Sequence, residues 1–331
     1  MSAPPSHIRA ATRGDLPEIV DLLNTCDVAE TGVPDTSEVD VESDWRLEGF
    51  DLSRDAWVAV AADGTLVGYA YAGDQLRTGE LESDVWVHPG RAERELAPRL
   101  FGLAERRARG LAAERGYPKA TLDVFCISIA HAKRDLLTAR GYELVRTVYR
   151  MAVDLGAGAG ESETRAAREA ETARERPAAR EALPGVAIRA FRSGVDEAVM
   201  HATMTEAFAD HFRQSDEPFD AWTKRLVEHA DFDPGLWSIA WEGDEPVAGA
   251  IAFDRGDLGW VQGLGVRRAW RRQGIGSALL ARTFAAMAAR GQPRIELGVD
   301  AEGATKPLQL YEGAGMHVTF TYELYAKDLT G

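Results

Sequence analysis

Residues 271–280 read RRQGIGSALL: two arginines, a glutamine and two glycines directly ahead of an apolar helical pattern. These residue types at this spacing can bind an anion. Glycines let a ligand approach the main chain, and a helix start offers N–H groups without acceptors at the positive end of its dipole. Arg271 and Arg272 add charge. A tight left-handed turn without a ligand is the alternative reading. A P-loop would need Gly-Lys-Ser/Thr, which is absent, and a dinucleotide fingerprint would need a third glycine where Leu279 stands. Upstream, EAFADHFRQSDEPFDAW holds candidates for proton transfer. His211 has a suitable ordinary pKa, and Glu206 and Asp210, four apart on one helical face, could attract a cationic amine. Each also reads as an ordinary surface residue. Gln262 could position a water, while Trp222 and Trp237 are expected in the core.

The elements that must position these residues follow from the pattern. LGWVQGLGV ends at Arg267, and after the turn Leu279, Leu280, Phe284 and Met287 recur at helical spacing, with Gly291 at the expected C-cap. The context is strand, basic glycine turn, helix. The region from Ala187 repeats an earlier one: HIRAATRGDLPEIVDLL resembles AIRAFRSGVDEAVMHAT, and AWVAVAADGTLVGYAYA resembles LWSIAWEGDEPVAGAIAF. Ile8 pairs with Ile188 and Trp57 with Trp237, a constant offset that suggests duplication, and the second hairpin strands pass through Gly68 and Gly249. Between the halves, residues 156–185 carry almost no large apolar side chains and read as a flexible, charged linker. Each half reads as mixed strands with helices on both faces, an α/β layered domain.

The 331 residues suit two domains, and the net charge of −15 argues against nucleic-acid binding while favouring a cationic partner. No apolar run is long enough to cross a bilayer, no signal peptide is visible, and two cysteines are too few for a zinc site, so no metal is expected. A cytoplasmic monomer or homodimer is the expectation. Residues 27–55 hold ten acidic and two basic side chains, which could line a cleft for a cation or form a solvated loop.

Val266 with the following RRAWRRQGIGSALL resembles motif A of the GCN5-related N-acetyltransferases (GNAT): a strand ending in Val, then Arg/Gln-x-x-Gly-x-Gly/Ala, filled by Arg271, Gly274 and Gly276. LGVDAEGATKPLQLYEGAGM resembles the next strand and helix of that family, with its Leu-Tyr-Glu-x-x-Gly-Phe/Met signature at Leu310, Tyr311, Glu312, Gly315 and Met316. The resemblance spans nearly all of residues 186–329. It implies tandem GNAT-like domains, each a mixed, mostly antiparallel sheet with helices on both faces, and acetyl-CoA as acyl donor. It implies that the main chain of Leu264, Gly265 and Val266 pairs with the pantetheine arm, and that Arg271, Arg272, Gln273, Gly274, Ile275, Gly276 and Ser277 hold the pyrophosphate. It implies Tyr311 as the acid that protonates the departing thiolate. A phenol near pKa 10 and a thiol near 8.5 exchange a proton at small cost. It places Asp210 and His211 near the acceptor. Glycine at 303, where the family usually has Asn, implies a looser arm.

The first half tests this reading. Arg94 and Leu96 occupy the two glycine positions, Pro98 falls at the helix start, Arg91 stands against Arg271, and Leu137 replaces Tyr311. The expected organisation is a degenerate, non-catalytic domain at 1–155, the linker at 156–185 and a catalytic domain at 186–331. The expected function is acetyl-CoA-dependent N-acetyl transfer to the primary amine of a small molecule. The alternative is a non-catalytic acetyl-CoA-binding sensor or scaffold.

Overall fold

A computed structural model describes residues 7–155 and 185–330, apart from 48, 75–76, 91–92, 214–216, 257 and 304–306. The chain divides into two compact units, 1–146 with 322–331, and 147–321.

In the second unit the order is β7 (Val186–Ala190), β8 (Ser238–Glu242), β9 (Glu245–Asp254), β10 (Gly259–Val266), β11 (Arg294–Asp300) and then β6 (Glu143–Asp154). All neighbours run antiparallel except β10 and β11. That parallel pair is joined through α8 (Ile275–Ala289), as a parallel connection requires. Over one face lies α6 (Glu197–Phe208), followed by α7 (Phe219–Trp222) and a π-helical turn. The α6 helix sits close because glycine lies beneath it. Gly249 and Gly265 are cross-strand partners, and a Cβ on Gly265 would come within 2.8 Å of Ala207 Cβ and 2.9 Å of Phe208. Trp222 and Trp237 are core, as expected, meeting at 5.9 Å.

The first unit repeats this plan with β1 (His7–Ala10), β2 (Ala56–Val60), β3 (Leu66–Gly73), β4 (Glu80–Val87) and β5 (Thr121–Ile127). Here α1 (Leu16–Thr31), α2 (Glu38–Trp45) and the single turn α3 (Leu52–Asp55) precede β2, while α4 (Glu93–Arg115) joins β4 to β5. After β5 comes α5 (His131–Ala139); its counterpart in the second unit is α9 (Leu308–Gly313). The expected mixed, mostly antiparallel sheets with helices on both faces are both present.

The expected boundaries need correction. Residues 148–154 of β6, assigned from sequence to the first half, pair with Arg294–Asp300 and place Met151 and Val153 in the core of the second unit. Residues 322–328 of β12 (His317–Asp328) pair with Thr121–Ile127 of β5, and bring Tyr325 and Leu329 into the core of the first. Each sheet is completed by a strand from the other half of the sequence. An alternating pattern tells which face of a strand is buried, not which strand it joins. The repeat is also shifted by one residue from the alignment of Trp57 with Trp237. Ala10 pairs with Trp57, but Ala190 pairs with Ser238; likewise Ala59 pairs with Gly68, but Ala240 with Ala248. The expected linker, 156–184 of its span, lies outside the described residues.

Candidate active site

The first feature of the candidate site is a sheet that opens. β10 and β11 pair only at Gly259–Val261 with Ile295–Leu297, although both continue for several residues. Beyond Val261 one edge of β10, including Leu264, Gly265 and Val266, has no partner from β11. A β-bulge marks where the opening begins: Val261 faces Ala252, Gly263 faces Ile251, and Gln262 is extra. The Gln262 side chain is exposed and accepts a 2.8 Å hydrogen bond from Trp260 Nε1.

The second feature is the turn that leads into α8. Arg272 has φ +64° and Gly274 φ +88°. Left-handed backbone at a bulky, exposed residue such as Arg272 is strained by about 1–3 kcal/mol, a cost that functional loops often carry. Gly274 is the N-cap and has no side chain to accept from the first-turn N–H groups of Ile275, Gly276 and Ser277, which lack intrahelical acceptors. A Cβ added at Gly276 would meet nothing nearer than Leu310 at 3.4 Å. The chain's own packing therefore leaves room for a methyl group there.

The arginines of the turn divide into two sets. Arg271 donates from Nε to Val266 O (3.0 Å), from one terminal nitrogen to Ala207 O (2.9 Å) and from the other to Asp210 (3.1 Å). Arg268 holds Asp210 through two bonds of 2.7 and 3.2 Å, and Arg267 pairs with Glu206 at 2.7 Å and Glu245 at 2.9 Å. Three arginines thus clamp the end of α6 onto the turn. Among the described residues Arg272 carries no ion pair. Gln273 donates a long bond to Ala269 O, and Ser277 is half-buried.

This geometry alters what two acidic candidates can do. The hydrogen bonds from Arg268 and then Arg271 hold the Asp210 carboxyl below the usual carboxylate range, which makes it a poor proton acceptor. Glu206 is neutralised by Arg267, so the acidic face expected to attract an amine is instead a fastening for the basic turn. His211 is different. Its ring lies edge-on to Phe208 at 4.5 Å, and burial, with Arg271 opposing Asp300 and Asp210, lowers its pKa below 6.5. It is neutral at pH 7 and able to take a proton.

Tyr311, on α9, is 7 % exposed, and burial pushes its phenol up to about 12. It is therefore protonated at neutral pH, yet a weaker acid than the free phenol assumed from sequence. Gly303 lies just before residues 304–306, which are outside the described set.

Beside Gln262, under α6, lies a cavity of about 160 Å³. Met204, Phe208, Trp222 and Ile251 form its apolar wall, with His201, Thr205, Glu217 and Arg225 as polar members. Arg225 and Glu217 form a double hydrogen bond of 2.6 and 2.9 Å, and the His201 ring meets Glu217 O at 2.8 Å. None of these four polar residues stood out in sequence; the bulge and the glycine seat that gather them are properties of register.

The first unit has the same opening, with β4 and β5 paired only at Glu80–Glu82. Leu96 and Leu137 are fully buried, and Pro98 lies inside α4. Leu137 matches Tyr311 in place, since Tyr142 N–H bonds Leu137 O just as Met316 N–H bonds Tyr311 O. The Val87 carbonyl, equivalent to that of Val266, accepts from Cys26 Sγ. Arg91 lies outside the described residues, as does the side chain of Arg94.

Residues 197–316 match the acetyltransferase (GNAT) family. The chain is 31% identical over 311 residues to a mycothiol acetyltransferase of Geodermatophilus obscurus, covering 90% of this chain and 89% of that one. A mycothiol acetyltransferase of Cellulomonas flavigena is 28% identical, with coverage of 96% and 89%. Among solved structures, a GCN5-related N-acetyltransferase from Sphaerobacter thermophilus superimposes with a TM-score of 0.79 at 29% identity, covering 99% and 97% of the two chains. A tandem GNAT protein from the clavulanic acid biosynthesis pathway shares the fold, with a TM-score of 0.69 at 13% identity over 98% of each chain.

Proposed function

Since the chain belongs to the GCN5-related N-acetyltransferase family and is an acyltransferase, we propose that it moves an acetyl group from acetyl-CoA to the primary amine of a small molecule, in its second unit. The observation that carries this reading is the unfilled glycine cradle at the start of α8, beside the unpaired edge of β10. Gly274 supplies the left-handed turn, and Gly276 leaves space that internal packing does not use. There the N–H groups of Ile275, Gly276 and Ser277 receive the pyrophosphate, with Arg272 and Gln273 at its edge. Arg271 acts indirectly, fixing the turn against Val266 and Ala207.

The main chain of Leu264–Val266 orients the pantetheine arm by strand-like hydrogen bonds, which aims the thioester toward the bulge. An N–H near Val266 stabilises the carbonyl oxygen as charge develops. His211, neutral at pH 7, takes the proton of the attacking amine, and Tyr311 returns one to the sulfur. The cavity beside Gln262 receives the acceptor. Its volume is below that of a pocket for a drug-sized ligand, which favours a small amine over a peptide. The relatives named mycothiol acetyltransferase make an amine of the mycothiol system the first acceptor to try.

Full-length protein supplied with acetyl-CoA and a panel of primary amines should release free CoA with at least one of them. Tyr311→Phe should lower kcat by about 10²-fold or more with little change in donor affinity, because the phenol acts in the transition state. A non-catalytic acetyl-CoA sensor would bind the donor and release no CoA with any amine.

A further inference from the structure

We propose that the first unit binds a primary alkylammonium group in a cavity floored by Tyr69, Tyr71 and Trp86 and walled by Asp44. The site is separate from acetyl transfer, and it occupies the place where the second unit has its glycine seat. Tyr69 pairs across the strands with Trp86, just as Gly249 pairs with Gly265. Where glycines let α6 settle onto its sheet, three aromatic rings fill the floor beneath α1 and α2 instead.

The rings form a near-parallel platform. Tyr69 and Trp86 lie 5.8 Å apart with 23° between planes, and Tyr71 and Trp86 6.1 Å apart with 24°. Trp45 Nε1 donates to Tyr69 Oη at 3.0 Å, which fixes the wall to the floor. Leu23, Val41, Trp45 and Phe50 close the remaining sides. An aromatic ring face attracts a cation placed over it, and a carboxylate at the rim adds direct charge.

Asp44 supplies that carboxylate. It makes no ion pair among the described residues, and it belongs to the acidic segment 27–55 whose purpose the acetyltransferase reading leaves open. Asp44 is exposed and stands at the rim, with one side toward the cavity. Partial desolvation there, then the charges of Glu82 and Asp40, raise its carboxyl above the usual carboxylate range. A cation would relieve this crowding. The chain already uses the same chemistry next door: Lys133 Nζ lies 5.9 Å from the Trp86 ring centre and 2.5 Å from Asp84. Size sets the ligand class. The cavity is about 30 Å³, more than one water requires, enough for an ammonium group with its first methylene and too small for a quaternary ammonium.

The test is calorimetric titration of the full chain at pH 8, where Asp44 is ionised, with n-butylammonium, 1-butanol and tetramethylammonium. We expect saturable n-butylammonium binding with affinity on the order of 1 mM, and none of the other two. Asp44→Asn should weaken this binding about fivefold, and Trp86→Leu, checked for an intact fold by circular dichroism, should abolish it. Loss of this binding with unchanged CoA release separates the site from the acceptor cavity of the second unit. No saturable binding, equal binding of 1-butanol or tetramethylammonium, or undiminished binding in both variants would overturn the proposal.

Discussion

At the scale of single residues, the proposed site depends on protonation states set by burial. His211 is held below its ordinary pKa by desolvation, against the opposing influence of Asp300 and Asp210. The basic form of a histidine exists above its pKa, so the acid limb of kcat/KM should fall below pH 6.5. Asp300 favours the charged ring, so Asp300→Asn should move that limb further to the acid side. A pH profile of wild type and variant checks both signs; a limb above pH 7, or one unmoved by the substitution, would remove His211 as the base. Sequence singled out His211 and Tyr311 but gave no access to their surroundings. It also grouped Asp210 with His211, because adjacency in sequence says nothing of the arginines that fold back from 58 and 61 residues downstream.

At the scale of elements, the glycines of the second unit serve different ends. Gly274 is glycine for its left-handed backbone, Gly265 for the close approach of α6, and Gly276 for neither of these. Gly265→Val should therefore destabilise the protein by about 1–3 kcal/mol, through collision with Ala207 and Phe208, and lower Tm measured by circular dichroism. An unchanged Tm would mean that α6 shifts without cost. The strand-turn-helix at 259–289 was legible in sequence, because an apolar β-rich run, two glycines and a helical period follow one another without interruption. The bulge at Gln262 was not, since one extra residue in a strand leaves the pattern of residue types almost unchanged.

At the scale of the whole molecule, duplication was legible from repeated segments, whereas the exchange of final strands was hidden by it. β6 and β12 each end a similar half, so similarity assigned each to its own. The pairing places Tyr325 and Leu329 in the core of the first unit. A chain ending at Thr321 should expose the β5 edge and lower the melting temperature by roughly 5 °C or more; an unaltered melting curve would contradict the exchange. The asymmetry of the units predicts one donor site per chain, since Leu96 and Leu137 fill the first unit where the second keeps Gly276 and Tyr311. Calorimetric titration with acetyl-CoA tests this most directly, comparing wild type with Gly276→Glu, whose Cβ the fold accommodates but whose carboxylate would fill the anion cradle. One site per chain in wild type and no detectable binding in the variant is the predicted result. Undiminished binding in Gly276→Glu would contradict it.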